Sequence, residues 1–314
     1  MTDNKRTKSP RQYDDGMELG ELFRALWADK WLISGFALVA AFTAVIVALM
    51  LPNIFRAEAL LTPNDQQGAS ELSGLASQYG GLASLAGINL GGAATNKTAI
   101  GIEVLKSRKF ISEFIERHDI LVPLMAADGW DPKSGELKID SDVYDVAADK
   151  WVRDVSSPRK TIPSLQEAYK EFRKKLSVSQ DKKTRFVTVA VSHYSPTIAK
   201  QWVDWLVEDV NRTVMKKDVA EAEQAIAYLN EQIKNTSLAE LQNVFSRLIE
   251  EQTKTVMLAK VTPEYMFRTL DPAIAPELRA KPRRSFIVVL YTLLGGMVGV
   301  FVVLIRNSIS TNSK

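Results

Sequence analysis

Two stretches of the chain lose every trace of polar alternation. Residues 31–51 and 285–305 each run for 21 residues without a charged side chain. As helices each is roughly 31 Å long, about one hydrocarbon core, so both predict membrane spans. The first run exceeds the apolar part of a secretion signal, about 7–15 residues, and 30 residues precede it. It therefore predicts an uncleaved anchor. Just before it, Leu19, Leu22, Phe23, Leu26 and Trp27 fall at i, i+3, i+4, i+7 and i+8. That single apolar stripe predicts a short helix lying on the membrane surface or against a partner, with Trp27 and Trp31 in the interfacial belt. Residues 1–15 are polar and charged and predict disorder.

Between the spans the period changes repeatedly. "FRAEALLTP" (55–63) predicts a strand leaving the membrane. Residues 64–97 hold seven of the chain's 16 glycines and read as a loop with a short small-residue helix, or a loop lining an assembly's interior. Ile102, Leu105, Phe110, Phe114 and Ile115 predict one helix over 98–118. Residues 128–163 look irregular. Ser164 and Glu167 form a capping box that opens another helix. Residues 176–180 and 185–192 predict a hairpin, with Val187, Val189 and Val191 alternating.

Ser195 and Pro196 make a helix start, a cap followed by proline in the first turn. From Ile198 to Ile233 apolar residues recur at steps of three to five without a break. This predicts a helix of about 39 residues, nearly 60 Å, where a typical one has about 11–12 residues. Such a rod is expected to project from a base. "NTS" (235–237) interrupts it, and Ser237 with Glu240 predicts a capping box restarting a helix to about Lys260. "EYMFRTLDPAIAP" (264–276) then predicts a strand returning toward the membrane. The order of elements is α+β, and the first and last strands are expected to pair in one sheet at the base.

Charge sets the orientation. Lys5, Arg6, Lys8, Arg11, Arg24 and Lys30 precede the first span, whereas residues 52–70 hold only Arg56. The positive-inside bias keeps the N-terminus in the cytoplasm, and two spans bring the C-terminus back there. The expected organisation is a cytoplasmic segment (1–30), a first span (31–51), an external α+β domain with a very long projecting helix (52–284), a second span (285–305) and a cytoplasmic tail (306–314). Arg279, Lys281, Arg283 and Arg284 then form a collar at the outer leaflet. Arg283 and Arg284 reach lipid phosphates, while Pro272, Pro276 and Pro282 keep the approach extended. A charged lipid-linked substrate or a partner enzyme is a candidate user of this collar.

The spans carry small residues. Gly295 and Gly299 make a G-x-x-x-G beside Gly296, and Ala40, Ala44 and Ala48 form a ridge on the first span. Together they are candidates for helix packing in lipid, against the plainer reading of ordinary small-residue content.

Candidate chemistry is sparse. The chain has no cysteine, which excludes disulfides and thiolate metal sites, and its net charge of +3 gives no case for nucleic acid. His118 and His193 are its only histidines and are expected at the surface or at helix ends. Asp140, Asp142, Asp145 and Asp149 lack the glycine and terminal glutamate of a calcium loop and read as a solvated turn. "GGAATNKT" (91–98) has Asn96 where a phosphate-binding loop needs glycine. No catalytic, cofactor-binding or metal residue is assigned, and an enzyme is not expected.

Three stretches together resemble the bacterial chain-length determinant family, the Wzz-type polysaccharide co-polymerases. They are "ELGELFRALWADKWLI" (18–33), "SLAELQNVFSRLIEEQTKTVMLAKV" (237–261) and, most specifically, "DPAIAPELRAKPRRSFIVVLYTLLGGMVGVFVVLI" (271–305). The resemblance implies an inner-membrane protein whose periplasmic domain forms a homo-oligomeric ring of about eight protomers. Its implied partners are the inner-membrane polysaccharide polymerase, lipid-linked glycan and membrane lipid. It implies no cofactor, and a role in setting the modal length of a surface polysaccharide. The chain ends nine residues past the second span, which implies the class without a kinase domain. The proline motif is sparser than is usual in the family, which leaves lipopolysaccharide O-antigen, the first expectation, beside an enterobacterial-common-antigen-like polymer and exopolysaccharide. A rival reading is a passive export conduit or envelope adaptor.

Overall fold

The computed structural model describes residues 27–64 and 93–311. The polar segment 1–15, the stripe from Leu19 to Leu26 and most of the glycine-rich stretch lie outside the described residues. The chain divides into two units, residues 52–281 and the remainder, which contains both apolar helices.

The first apolar run forms α1 (Lys30–Met50). β1 (Phe55–Pro63) follows, burying Phe55, Ala57, Ala59 and Leu61 while Arg56 and Glu58 stay exposed. The predicted helix over 98–118 is two helices, α2 (Ala93–Lys106) and α3 (Arg108–Arg117). Ser107 parts them: its backbone is extended and its hydroxyl accepts from the Phe110 N–H, capping α3. Serine at a first turn favours the cap over continuation. α4 (Leu121–Met125) leads into two small ribbons, β2 (Ala127–Trp130) with β3 (Leu137–Ile139), and β4 (Tyr144–Asp145) with β5 (Lys150–Trp151). The stretch 128–163 is thus partly ordered in strands of two to four residues, too short for alternation to show.

α5 (Leu165–Lys175) opens with both arms of the Ser164–Glu167 capping box made. Arg153 donates to Glu167 at 2.8 Å and holds its carboxyl below the usual range. β6 (Leu176–Gln180) and β7 (Val187–His193) form the hairpin. In its turn Asp181 accepts from the Lys183 and Thr184 N–H groups, and its carboxyl is lowered for that reason.

α6 (Pro196–Asn235) is 40 residues long, capped by Ser195 with proline in its first turn. α7 (Ala239–Val261) restarts with Leu238 at its N-cap and no side-chain cap, so the predicted Ser237 box is not made. The corner is held instead by Gln242 Nε2 donating to the Thr236 carbonyl at 2.9 Å. β8 (Phe267–Asp271) stops well short of the predicted span, because Pro272 has no N–H for a ladder. α8 (Arg284–Thr311) completes the chain.

One four-stranded antiparallel sheet, in the order β6-β7-β1-β8, organises the larger unit. β1 is central: Ala57 faces Val191, Ala59 faces Val189, and a bulge at Leu60/Leu61 adjusts its pairing with β8. One face of the sheet is closed by Phe110 and Phe114 of α3, Phe172 of α5 and Trp202, Leu206 and Val210 of α6, all in one buried cluster. Burial of each large side chain contributes on the order of 2–3 kcal/mol. Gly101 of α2 makes room for β8, since a Cβ there would lie 2.7 Å from Met266 Cε. The architecture is α+β with one very long helix.

Candidate functional site

Helix termini, strand ends and small residues position the features that the sequence marks. In the smaller unit, α1 and the first 23 residues of α8, Arg284–Arg306, are long and apolar enough to cross a membrane, with mean hydropathies of 2.5 and 2.6. They pack against each other along small residues. A Cβ on Gly295 would collide with Ala40 Cβ and approach the Phe36 carbonyl to 3.0 Å. A Cβ on Gly299 would lie 2.9 Å from Ile33 Cα. Gly296 lies off this seam: a Cβ there meets nothing within 4 Å. Ala44 and Ala48 are buried, as is Val303, one turn beyond Gly299. Within α1, Thr43 returns its hydroxyl to the Val39 carbonyl, satisfying that polar group inside the apolar stretch.

The residues of the proline and basic motif divide between the units. Pro272 is exposed and Pro276 half-buried, both beyond β8. Lys281 pairs its backbone with Ile54, each N–H donating to the other's carbonyl, at 2.9 and 3.1 Å. The chain therefore enters and leaves the larger unit at one point. Pro282, Arg283 and Arg284 belong to the smaller unit, with Arg283 exposed and Arg284 half-buried at the start of α8.

His118 lies at a helix end, as expected, whereas His193 is buried at the end of a strand. His118 is the C-cap of α3, stacked on Trp205 with 4.2 Å between ring centres, and its Nε2 meets Asp209 at 2.9 Å. Asp209 is buried and also takes Arg117 at 2.7 Å. His193 is 1% exposed at the end of β7. It donates from Nε2 to the Pro123 carbonyl, and its Nδ1 accepts from the Ser195 N–H. Burial pushes its pKa down to about 4, so the ring is neutral. These groups hold the fold together: His118 joins α3 to α6, and His193 joins β7 to α4 and to the cap of α6.

Asn211 was not marked by the sequence reading. It is buried on α6 and donates to the Val207 and Phe267 carbonyls while accepting from the Met266 and Phe267 N–H groups at 2.7 and 2.8 Å. Its signal was an amide on the inward stripe between Val210 and Val214. In the acidic turn Asp140 and Asp145 accept from backbone N–H groups two and three residues on, and Asp149 accepts from the Tyr144 hydroxyl. Among the described residues, no group of three or more His, Cys, Asp or Glu side chains is arranged to hold a metal.

Two family models match parts of the chain. Residues 15–118 match the Wzz chain length determinant protein family. That match covers about a third of the chain and takes in α1, β1, α2 and α3. Residues 235–308 match a second family, GNVR, a G-rich domain described on tyrosine kinases; this match takes in α7, β8 and most of α8. Comparison with curated proteins returned no match. Two solved structures are similar. A full-length bacterial polysaccharide co-polymerase is 16% identical, with 95% of this chain and 99% of that chain covered and a TM-score of 0.38. A fragment of WzzB, a polysaccharide co-polymerase from Salmonella Typhimurium, is 15% identical, with coverage of 73% and 100% and a TM-score of 0.30.

Proposed function

We propose that this chain is a chain-length determinant, an oligomeric, non-catalytic co-polymerase of the bacterial inner membrane. It sets the modal length of a surface polysaccharide, with lipopolysaccharide O-antigen the first candidate. The observation that carries the reading is the match of residues 15–118 to the chain length determinant family. In this reading residues 52–284 lie in the periplasm, and copies assemble side by side into a ring. α6 and α7 bring the polymerase and the growing glycan together, so that the geometry of the assembly limits extension. The Gly295–Gly299 seam fixes the two spans against each other, and the basic residues 279–284 face the outer leaflet.

The test is a deletion strain whose surface polysaccharide is run on a gel. The expected result is loss of the modal cluster, with random chain lengths in its place. An unchanged ladder would refute the reading. Loss of surface polymer with polymer retained inside would point to an export conduit instead.

A further inference from the structure

The larger unit has a cavity of about 110 Å³ lined by Ile54, Lys174, Lys175, Ser192, His193, Tyr194 and Lys281. That is space for several waters and so for one tetrahedral oxyanion. Its cationic groups come from two places in the chain: Lys174 and Lys175 at the end of α5, and Lys281 just before the second span. Ser192 and Tyr194 add hydroxyls.

The charge balance is unusual. Lys175 is 17% exposed, and its nearest carboxylate, Glu171, is 4.0 Å away. That same carboxylate is already engaged by Lys174 at 2.8 Å. The Lys175 ammonium also lies 5.3 Å from the Tyr194 ring centre. Burial pushes the Lys175 pKa down and the Tyr194 pKa up, and Asp128 adds to the effect on Tyr194. One carboxylate thus serves two ammonium groups, and no ion pair involving Lys281 forms among the described residues. A half-buried cation with so little compensation is costly unless an anion joins it.

Connectivity gives the cavity an address. Ile54 lies four residues after Met50, the end of α1, and Lys281 three residues before Arg284, the start of α8. At about 3.5 Å per residue, each is within roughly 14 Å of a span along the chain. The hydrogen-bonded pair Ile54–Lys281 forms part of the cavity wall.

We propose that this cavity is a binding site for a phosphate group, held by Lys174, Lys175 and Lys281 with the Ser192 and Tyr194 hydroxyls. Phosphate oxygens match ammonium and hydroxyl donors, and three point-charge donors suit a tetrahedral anion. The group comes either from a lipid head at the membrane surface or from free phosphate. The site stands on its own geometry and does not depend on the chain-length reading.

The full chain is purified in neutral detergent. Its thermal midpoint is followed while inorganic phosphate replaces chloride at constant ionic strength, and native mass spectrometry counts bound dioleoyl phosphatidylglycerol against dioleoyl phosphatidylcholine. Phosphate is expected to raise the midpoint by a few degrees, since a ligand of the folded state stabilises it. Lys174→Gln and Lys281→Gln, both exposed side chains, should weaken binding several-fold, while Lys182→Gln at the hairpin tip should not. Preference for phosphatidylglycerol that these variants abolish identifies the lipid as source. A phosphate response without lipid preference identifies the free anion. Equal binding by wild type, Lys174→Gln and Lys281→Gln, or no binding by any, overturns the proposal. Chain-length ladders of the same variants are read separately, so lost binding with a normal ladder leaves the proposed function untouched.

Discussion

At the residue scale, single side chains do work that periodicity does not display. Asn211 satisfies three backbone groups where β8 begins, and each of them would be left buried and unpaired in Asn211→Leu. An unmade bond of this kind costs about 1–3 kcal/mol. Asn211→Leu should therefore lower stability by roughly 3 kcal/mol or more, read as a fall in thermal midpoint of the full chain in detergent. His193 makes stability depend on pH. The unfolded ring takes up a proton near pH 6.5, the folded ring only near 4. The contribution is complete above pH 6.5 and falls away as the pH drops toward 4, by about 3 kcal/mol in all. Denaturant titrations from pH 7 to 4 should show this loss, and His193→Asn should flatten it. Within the apolar pair, Gly295→Leu and Gly299→Leu should alter chain-length control and weaken helix pairing, whereas Gly296→Leu should leave both unchanged. Equal effects at all three positions would rule out the seam as the cause.

At the element scale, long regularity was legible and short regularity was not. The forty residues of α6 followed from the unbroken apolar recurrence between Ser195 and Asn235. Ser107, by contrast, sits inside a stretch whose apolar spacing continues through it, so only its extended backbone reveals two helices. Ser237 offered the right residues for a capping box, yet the helix starts after Leu238, because a neighbouring amide, Gln242, closes the corner. α7 also carries more apolar surface than one partner helix covers. Phe245, Ile249 and Ala259 are at least half-buried, while Leu241, Val244 and Leu248, at i, i+3 and i+7, are exposed. An exposed stripe at that spacing is the pattern a second copy would cover. Leu248→Glu should shift the purified chain toward smaller assemblies in light scattering, with its helix content unchanged.

At the scale of the whole molecule, the pairing of first and last strands was foreseeable from where they stand in the chain, and β1 does pair β8. That β1 also pairs β7, and so lies inside the sheet, was not foreseeable, because its alternation describes one buried face and says nothing about which edges are occupied. The phosphate cavity was hidden for a related reason: Lys281 lies about a hundred residues from the adjacent Lys174 and Lys175, and only the fold brings it to them. The backbone pairing of Ile54 with Lys281 has a consequence of its own. It makes residues 52–281 a closed circuit, with its two ends hydrogen-bonded to each other. A piece built this way is modular: it can be lifted out and inserted between other helix pairs, or cut and rejoined at a new starting point, without disturbing its sheet. Exchange between homologues would then transplant the whole unit through a single junction.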